Sequence, residues 1–143
     1  MHEWPPSRVI FGAGRVSDVE AEVARLGSRA MVINDPAARS AAQQIVDQLG
    51  SAVRARVMDV VQHVPVPSVT AAAAEARRAE VDVIVCVGGG SATGLAKGIA
   101  RTAGLPIVAV PTTYAGSEMT SIWGLTEEGT KTTKLCMPLA CHR

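Results

Sequence analysis

Apolar positions along the chain fall into short continuous runs, and between them lie stretches whose apolar residues recur at helical spacing. Arg8 to Phe11 predicts a first short strand, ended by Gly12, Ala13 and Gly14. A helix follows from about Val16 to Leu26, with Ser17 and Asp18 at its start and Gly27 at its end. Ala30 to Ile33 predicts a second strand, whose tip carries Asn34, Asp35 and Pro36 before a helix reaching Leu49. A third strand is expected over Arg54 to Val61, where Val53, Ala55 and Val57 alternate with Arg54 and Arg56. Pro65 and Pro67 then impose an extended loop, and Ser68 is the expected cap of a helix from Val69 to about Ala79.

The next run, Val81, Val83, Ile84, Val85 and Val87, is too continuous for a half-exposed strand and reads as one buried on both faces. Gly88, Gly89 and Gly90 end it. Ser91 is the expected N-cap of a helix in which Leu95, Ala96, Ile99, Ala100 and Ala103 recur at helical spacing. A further strand, Ile107 to Val110, runs into Pro111, Thr112 and Thr113. Met119 to Leu125 and Thr130 to Cys136, around Glu127, Glu128 and Gly129, predict a hairpin. Strands and helices in this order imply an α/β fold: a mostly parallel, Rossmann-like sheet with helices on both faces, plus a C-terminal β-hairpin.

A buried strand, a glycine turn and a helix start make an anion site. Free backbone N–H groups and the positive end of the helix dipole point at whatever lies over Gly88, Gly89, Gly90 and Ser91, and phosphate is the usual occupant. Three glycines exceed what a simple chain reversal needs, since one residue of positive φ generally suffices. If the two strands are parallel neighbours, Thr112 and Thr113 come to lie beside this loop and whatever it binds. Asp35, at the end of a strand, can accept hydrogen bonds from a ribose diol and would repel a 2′-phosphate, favouring NADH over NADPH. Equally, Asn34, Asp35 and Pro36 can serve as the cap of the following helix, and one aspartate can do both.

Two other glycine loops compete for a phosphate. Gly12-x-Gly14-x-x-Ser17, with Asp35 about 20 residues on, approaches the dinucleotide fingerprint but lacks its third glycine. Gly89-x-x-x-x-Gly94 begins like a nucleoside-triphosphate loop, but Leu95 and Ala96 stand where Lys and Ser or Thr are needed. Lys97 lies roughly 9 Å along its helix from Ser91, too far to fold back over phosphates.

Composition narrows the function classes. With 14 basic and 13 acidic residues the net charge of +1 carries no electrostatic footprint for nucleic acid or a membrane surface. No apolar run approaches 18 residues and the start MHEWPPSRVIF lacks a signal-peptide pattern, so a cytoplasmic location is expected. Cys86 reads as a small buried side chain, and His63 as a loop or packing residue. Cys136, Cys141 and His142 lack a fourth ligand, so no metal site is assigned.

GGGS with Lys97 six residues after the serine, then PTTYAGSE, resembles the nucleotide-binding half of iron-type alcohol dehydrogenases, and within them the maleylacetate reductase branch. The wider family usually reads GGGSxxDxAK and PTTAGTGSE; Gly94 replaces the aspartate here and the second loop is shorter, both features of that branch. The resemblance covers about Arg8 to Thr133. It implies NADH- or NADPH-dependent reduction of maleylacetate, a small dicarboxylate, to 3-oxoadipate in aromatic-compound degradation. Lys131 falls near a position where the family has a basic residue facing the nicotinamide ribose or substrate, and an exposed hairpin lysine is the alternative. An aspartate and three histidines for iron or zinc belong, in metal-using relatives, to a second, helical domain absent here, and the full-length form is expected to be a homodimer. The other readings are a fragment of an iron-type alcohol dehydrogenase and a non-catalytic nucleotide-binding fragment.

The expected organisation is a dinucleotide-binding domain over residues 1–133 and an atypical tail over residues 134–143, where KLCMPLACHR departs from the family, as an early stop or frame change would produce. No acid, base and electrophile converge on the glycines in this stretch, so no catalytic residue is assigned and the chain alone is expected to be inactive.

Overall fold

The structure is a computed structural model, and it describes residues 8–58, 60, 65–113, 122–127 and 130–135. Four strands, β1 (Ala30–Asn34), β2 (Val53–Val57), β3 (Val83–Gly88) and β4 (Ile107–Pro111), form a wholly parallel sheet in the order β2-β1-β3-β4. Four α-helices, α1 (Val19–Leu26), α2 (Arg39–Leu49), α3 (Val66–Arg78) and α4 (Gly90–Ala103), precede or connect them. A separate antiparallel hairpin pairs β5 (Ile122–Glu127) with β6 (Thr130–Leu135), with Thr126 opposite Lys131.

The two-residue period of the strands divides the core cleanly. Met31, Ile33, Ile84 and Cys86 face one side, where they pack with Val69, Ala73 and Ala76 of α3 and Leu95, Ile99 and Ala100 of α4. Ala30, Val32, Val83, Val85 and Val87 face the other, against Val19 and Val23 of α1 and Ala42, Ile45 and Leu49 of α2. Every residue of β1 and β3 is buried, as a strand covered on both faces requires. Because β2 lies to one side of β1 and β4 to the other side of β3, the strand order reverses between β1 and β3. Their C-terminal ends therefore flank a topological switch point, the crevice where sheets of this kind take ligands.

Asp82 pins the start of this arrangement. Its carboxylate accepts the backbone N–H groups of Ser28 at 2.9 Å and Arg29 at 2.7 Å, tying the entry of β3 to the entry of β1. Partial burial would raise its pKa, but the Arg29 and Ser28 backbone bonds, the Arg29 guanidinium and the Ser28 hydroxyl outweigh it and hold the group below the ordinary carboxylate value.

Several element boundaries differ from those expected. Arg8 to Phe11 is not a strand: Val9 and Phe11 point outward, Phe11 being 95% exposed, and the segment follows the side of a groove instead of joining the sheet. The third strand stops at Val57 rather than Val61. A short 3-10 turn, Arg15–Asp18, occupies the first part of the helix expected from Val16. Helix α3 begins at Val66, with Pro65 as its N-cap, so Ser68 lies inside the first turn. Pro67 takes the second helical position, where its fixed φ suits the helix and its missing N–H costs no helix bond, so the loop expected to run through both prolines ends at Pro65. The hairpin is present, and β6 runs to Leu135, two residues past the expected domain end. His63 and the Cys136, Cys141 and His142 group lie outside the described residues.

Candidate functional site

Buried β3 drives into the switch point and ends on Gly88, whose φ of 145° is open to glycine but strained for other residues. Gly88 also approaches Asp35 so closely that a Cβ there would collide with the carboxylate. Gly89 is the N-cap of α4, in extended conformation, and the helix starts at Gly90. Ser91 is thus in the first turn and is not the cap. Its expected capping role passes to the backbone of Gly89, because the chain enters the helix one residue after the turn.

This shift sets which donors are free. The first helix bond runs from the Thr93 N–H to the Gly89 carbonyl at 3.2 Å, so the N–H groups of Gly90, Ser91 and Ala92 have no acceptor within the helix. A Cβ built on Gly90 would meet nothing within 4 Å. Open space therefore lies over the positive end of a 14-residue helix, the arrangement that receives a phosphate.

Both neighbouring strands contribute to the walls. From β4, the Thr112 N–H bonds the Gly88 carbonyl at 3.1 Å, and Thr113 Oγ1 lies 3.1 Å from where a Gly89 Cβ would be. Both threonine side chains are exposed. From β1, Asp35 accepts the Gly89 N–H through Oδ2 at 2.7 Å and the Ala38 N–H through Oδ1 at 2.9 Å. The structure thus brings together Gly88, Gly89, Gly90, Ser91, Asp35, Thr112 and Thr113. Lys131 lies on β6, in the hairpin whose β5 approaches α3 and α4, and its side chain is outside the described residues.

Two supports escape the pattern reading. Thr93 is buried and donates its hydroxyl to the Gly89 carbonyl at 3.0 Å, an i to i−4 bond that the Gly89-to-Thr93 spacing permits. Asn34, 1% exposed, donates its side-chain amide to the Asp35 carbonyl at 2.9 Å and so steadies the tip of β1. Lys97 is buried along α4, away from the helix start.

The rival glycine loop is built differently. Gly12 and Gly14 both have positive φ, but among the described residues no strand precedes them, and only the 3-10 turn Arg15–Asp18 follows before α1. A dinucleotide fingerprint needs a strand feeding directly into a helix. Gly12 and Gly14 instead line a groove of about 570 Å³ that runs between Phe11, α1 and β4 and reaches Thr112 and Thr113. Among the described residues, no three His, Cys, Asp or Glu side chains gather as metal ligands.

Comparison with known proteins matches this fold and loop to a family. Residues 6–141 fit the model of the iron-containing alcohol dehydrogenases. The chain belongs to that family. It is 51% identical over 128 residues to a maleylacetate reductase of Sphingobium indicum, covering 90% of this chain and 36% of that protein. Maleylacetate reductase 2 of Cupriavidus pinatubonensis is 52% identical over 133 residues, covering 92% and 37% respectively. In structure, the crystallised maleylacetate reductase of Rhizobium sp. strain MTP-10005 superposes with a TM-score of 0.90 at 38% identity, covering 99% of this chain and 41% of that one. The chain thus spans a little over a third of the length of the curated relatives it matches. The family match continues to residue 141, through most of the stretch expected to be atypical. No helix among the described residues is long and apolar enough to cross a membrane.

Proposed function

We propose that this chain is the dinucleotide-binding part of a maleylacetate reductase, holding NADH or NADPH with its pyrophosphate over the start of α4. The observation that carries the reading is the open helix start at Gly90, set at the switch point and walled by Asp35 and Thr113. The N–H groups of Gly90, Ser91 and Ala92 hold the pyrophosphate, and Thr112 and Thr113 line its far side. Asp35, on the β1 side, places a negative charge where a 2′-phosphate would fall and favours NADH. Lys131 lies toward the nicotinamide ribose or the substrate.

When bound, the reduced nicotinamide supplies a hydride to the carbon–carbon double bond of maleylacetate. That bond accepts hydride because it is conjugated to a carbonyl, and a proton added to the adjacent carbon completes 3-oxoadipate. The groups that polarise the carbonyl, anchor the two carboxylates and donate the proton belong to a part of the protein beyond the 1–133 domain. Any iron or zinc would be held there as well, and the complete protein would work as a homodimer in the cytoplasm.

A second reading, oxidation or reduction of a small alcohol or aldehyde, is favoured by the family match alone. Gly94 weighs against it, since it replaces the aspartate usual in the wider family. The test has two arms. The chain is titrated with NADH by nicotinamide fluorescence, then given NADH with maleylacetate or NAD with small alcohols while nicotinamide absorbance is followed. Saturable NADH binding without turnover of either substrate is the expected result. Turnover of maleylacetate at about 1 per second or more would show that the chain holds a catalytic set of its own. Turnover of alcohols alone would favour the second reading.

A further inference from the structure

The carboxylate of Asp35 is committed to the backbone on both sides of the switch point. Asp35 caps the 3-10 turn Pro36–Ala38 that leads into α2: Oδ1 accepts from Ala38 N–H, and Oδ2 accepts from Gly89 N–H, 54 positions away. The loop is shaped around this contact. Gly88 lacks the Cβ that would strike Oδ2, and Gly89 turns its N–H towards Asp35 and not towards the open space over α4.

We infer that Asp35 is a positioning residue of the glycine loop, and that cofactor selection at this site is mechanically coupled to loop order. By holding Gly89 N–H, the carboxylate fixes the direction from which α4 begins and so aims the N–H groups of Gly90, Ser91 and Ala92 at the phosphate site. Gly89 N–H is itself withheld from the ligand. A substitution that removes the negative charge to admit a 2′-phosphate also releases the loop, and pyrophosphate binding is weakened for both cofactors. A residue acting only on the ribose would exchange one cofactor for the other with the loop undisturbed. This inference rests on the dinucleotide reading above for its binding consequence, whereas the hold on Gly89 stands by itself.

Asp35→Ser separates the two duties. A serine is as good an N-cap as aspartate, so its hydroxyl can keep the Ala38 bond, but it is too short to bridge to Gly89 as well. Asp35→Asn is the second variant, close in shape and with only one accepting oxygen. For each, amide exchange at Gly89 is measured in the cofactor-free chain, together with the melting temperature and the affinities for NADH and NADPH. Asp35→Ser is expected to melt close to the unaltered chain, to exchange Gly89 about 10- to 100-fold faster, and to bind NADH about 10-fold more weakly with no gain for NADPH. Asp35→Asn should also speed Gly89 exchange. Unchanged Gly89 exchange in both variants would overturn the inference, and so would tighter NADPH binding in Asp35→Ser with Gly89 still protected. Failure of the unaltered chain to bind NADH would remove the dinucleotide reading instead, and the exchange rates would still decide whether Asp35 holds the loop.

Discussion

Gly88 and Asp35 face each other across the switch point so closely that the glycine hydrogen occupies the only space the carboxylate leaves. Together with a φ of 145° at Gly88, this makes the position intolerant of any side chain.

Gly88→Ala is therefore expected to destabilise the chain by about 1–3 kcal/mol, through backbone strain and displacement of the Asp35 carboxylate. Urea unfolding measures this, and a variant as stable as the parent would mean that the turn is built otherwise.

Gly90 gives the opposite expectation. A Cβ there meets nothing, and its backbone is helical, so Gly90→Ala should leave the free chain unharmed or more stable by about 0.4–1 kcal/mol. The methyl group would occupy the space of the phosphate. NADH affinity should fall while stability does not, and a parallel loss of both would indicate that Gly90 is only structural.

The two glycines also show where sequence pattern reaches and where it stops. The buried run ending in Gly88 was legible because both faces of β3 demand apolar residues, and the parallel order followed from strands alternating with helices. The placement of Asp35 at the end of its strand was legible too. Its bond to Gly89 was not, because which strands are neighbours is a property of the assembled sheet. Caps failed by a few residues at Ser68 and Ser91 for one reason: backbone geometry at Pro65 and Gly89 starts each helix without a side-chain acceptor. Arg8 to Phe11 carries a strand-like apolar run, but four residues do not say whether a sheet edge will receive them.

Phe11 tests that last correction. Being 95% exposed, its replacement by serine should alter stability by no more than about 0.5 kcal/mol. Ile99→Ala, in the core between α4 and the sheet, should cost about 2–5 kcal/mol. A large loss for Phe11→Ser in urea unfolding would mean that the first segment is part of the sheet after all.

Asp82 predicts an acid limb. Its pKa is lowered in the folded chain, so the stability it contributes is fully present above the unfolded carboxylate value of about 3.9 and is lost as pH falls through the lower folded value. Below about pH 4, unfolding free energy should drop with pH, and Asp82→Asn should flatten that slope. Equal slopes in the two proteins would show that other carboxylates govern acid unfolding.

The central claim, that a dinucleotide lies over Gly88 to Ser91, is tested most directly by titrating NADH into the chain and into Gly89→Val, followed by nicotinamide fluorescence. Valine at this position would press on Thr113, whose Oγ1 already lies 3.1 Å from a Cβ, and would block approach of the pyrophosphate. Saturable binding by the unaltered chain, weakened by about 10-fold or more in a folded Gly89→Val, is the predicted result. Equal affinity in the folded variant would contradict it and move the site to Gly12 and Gly14.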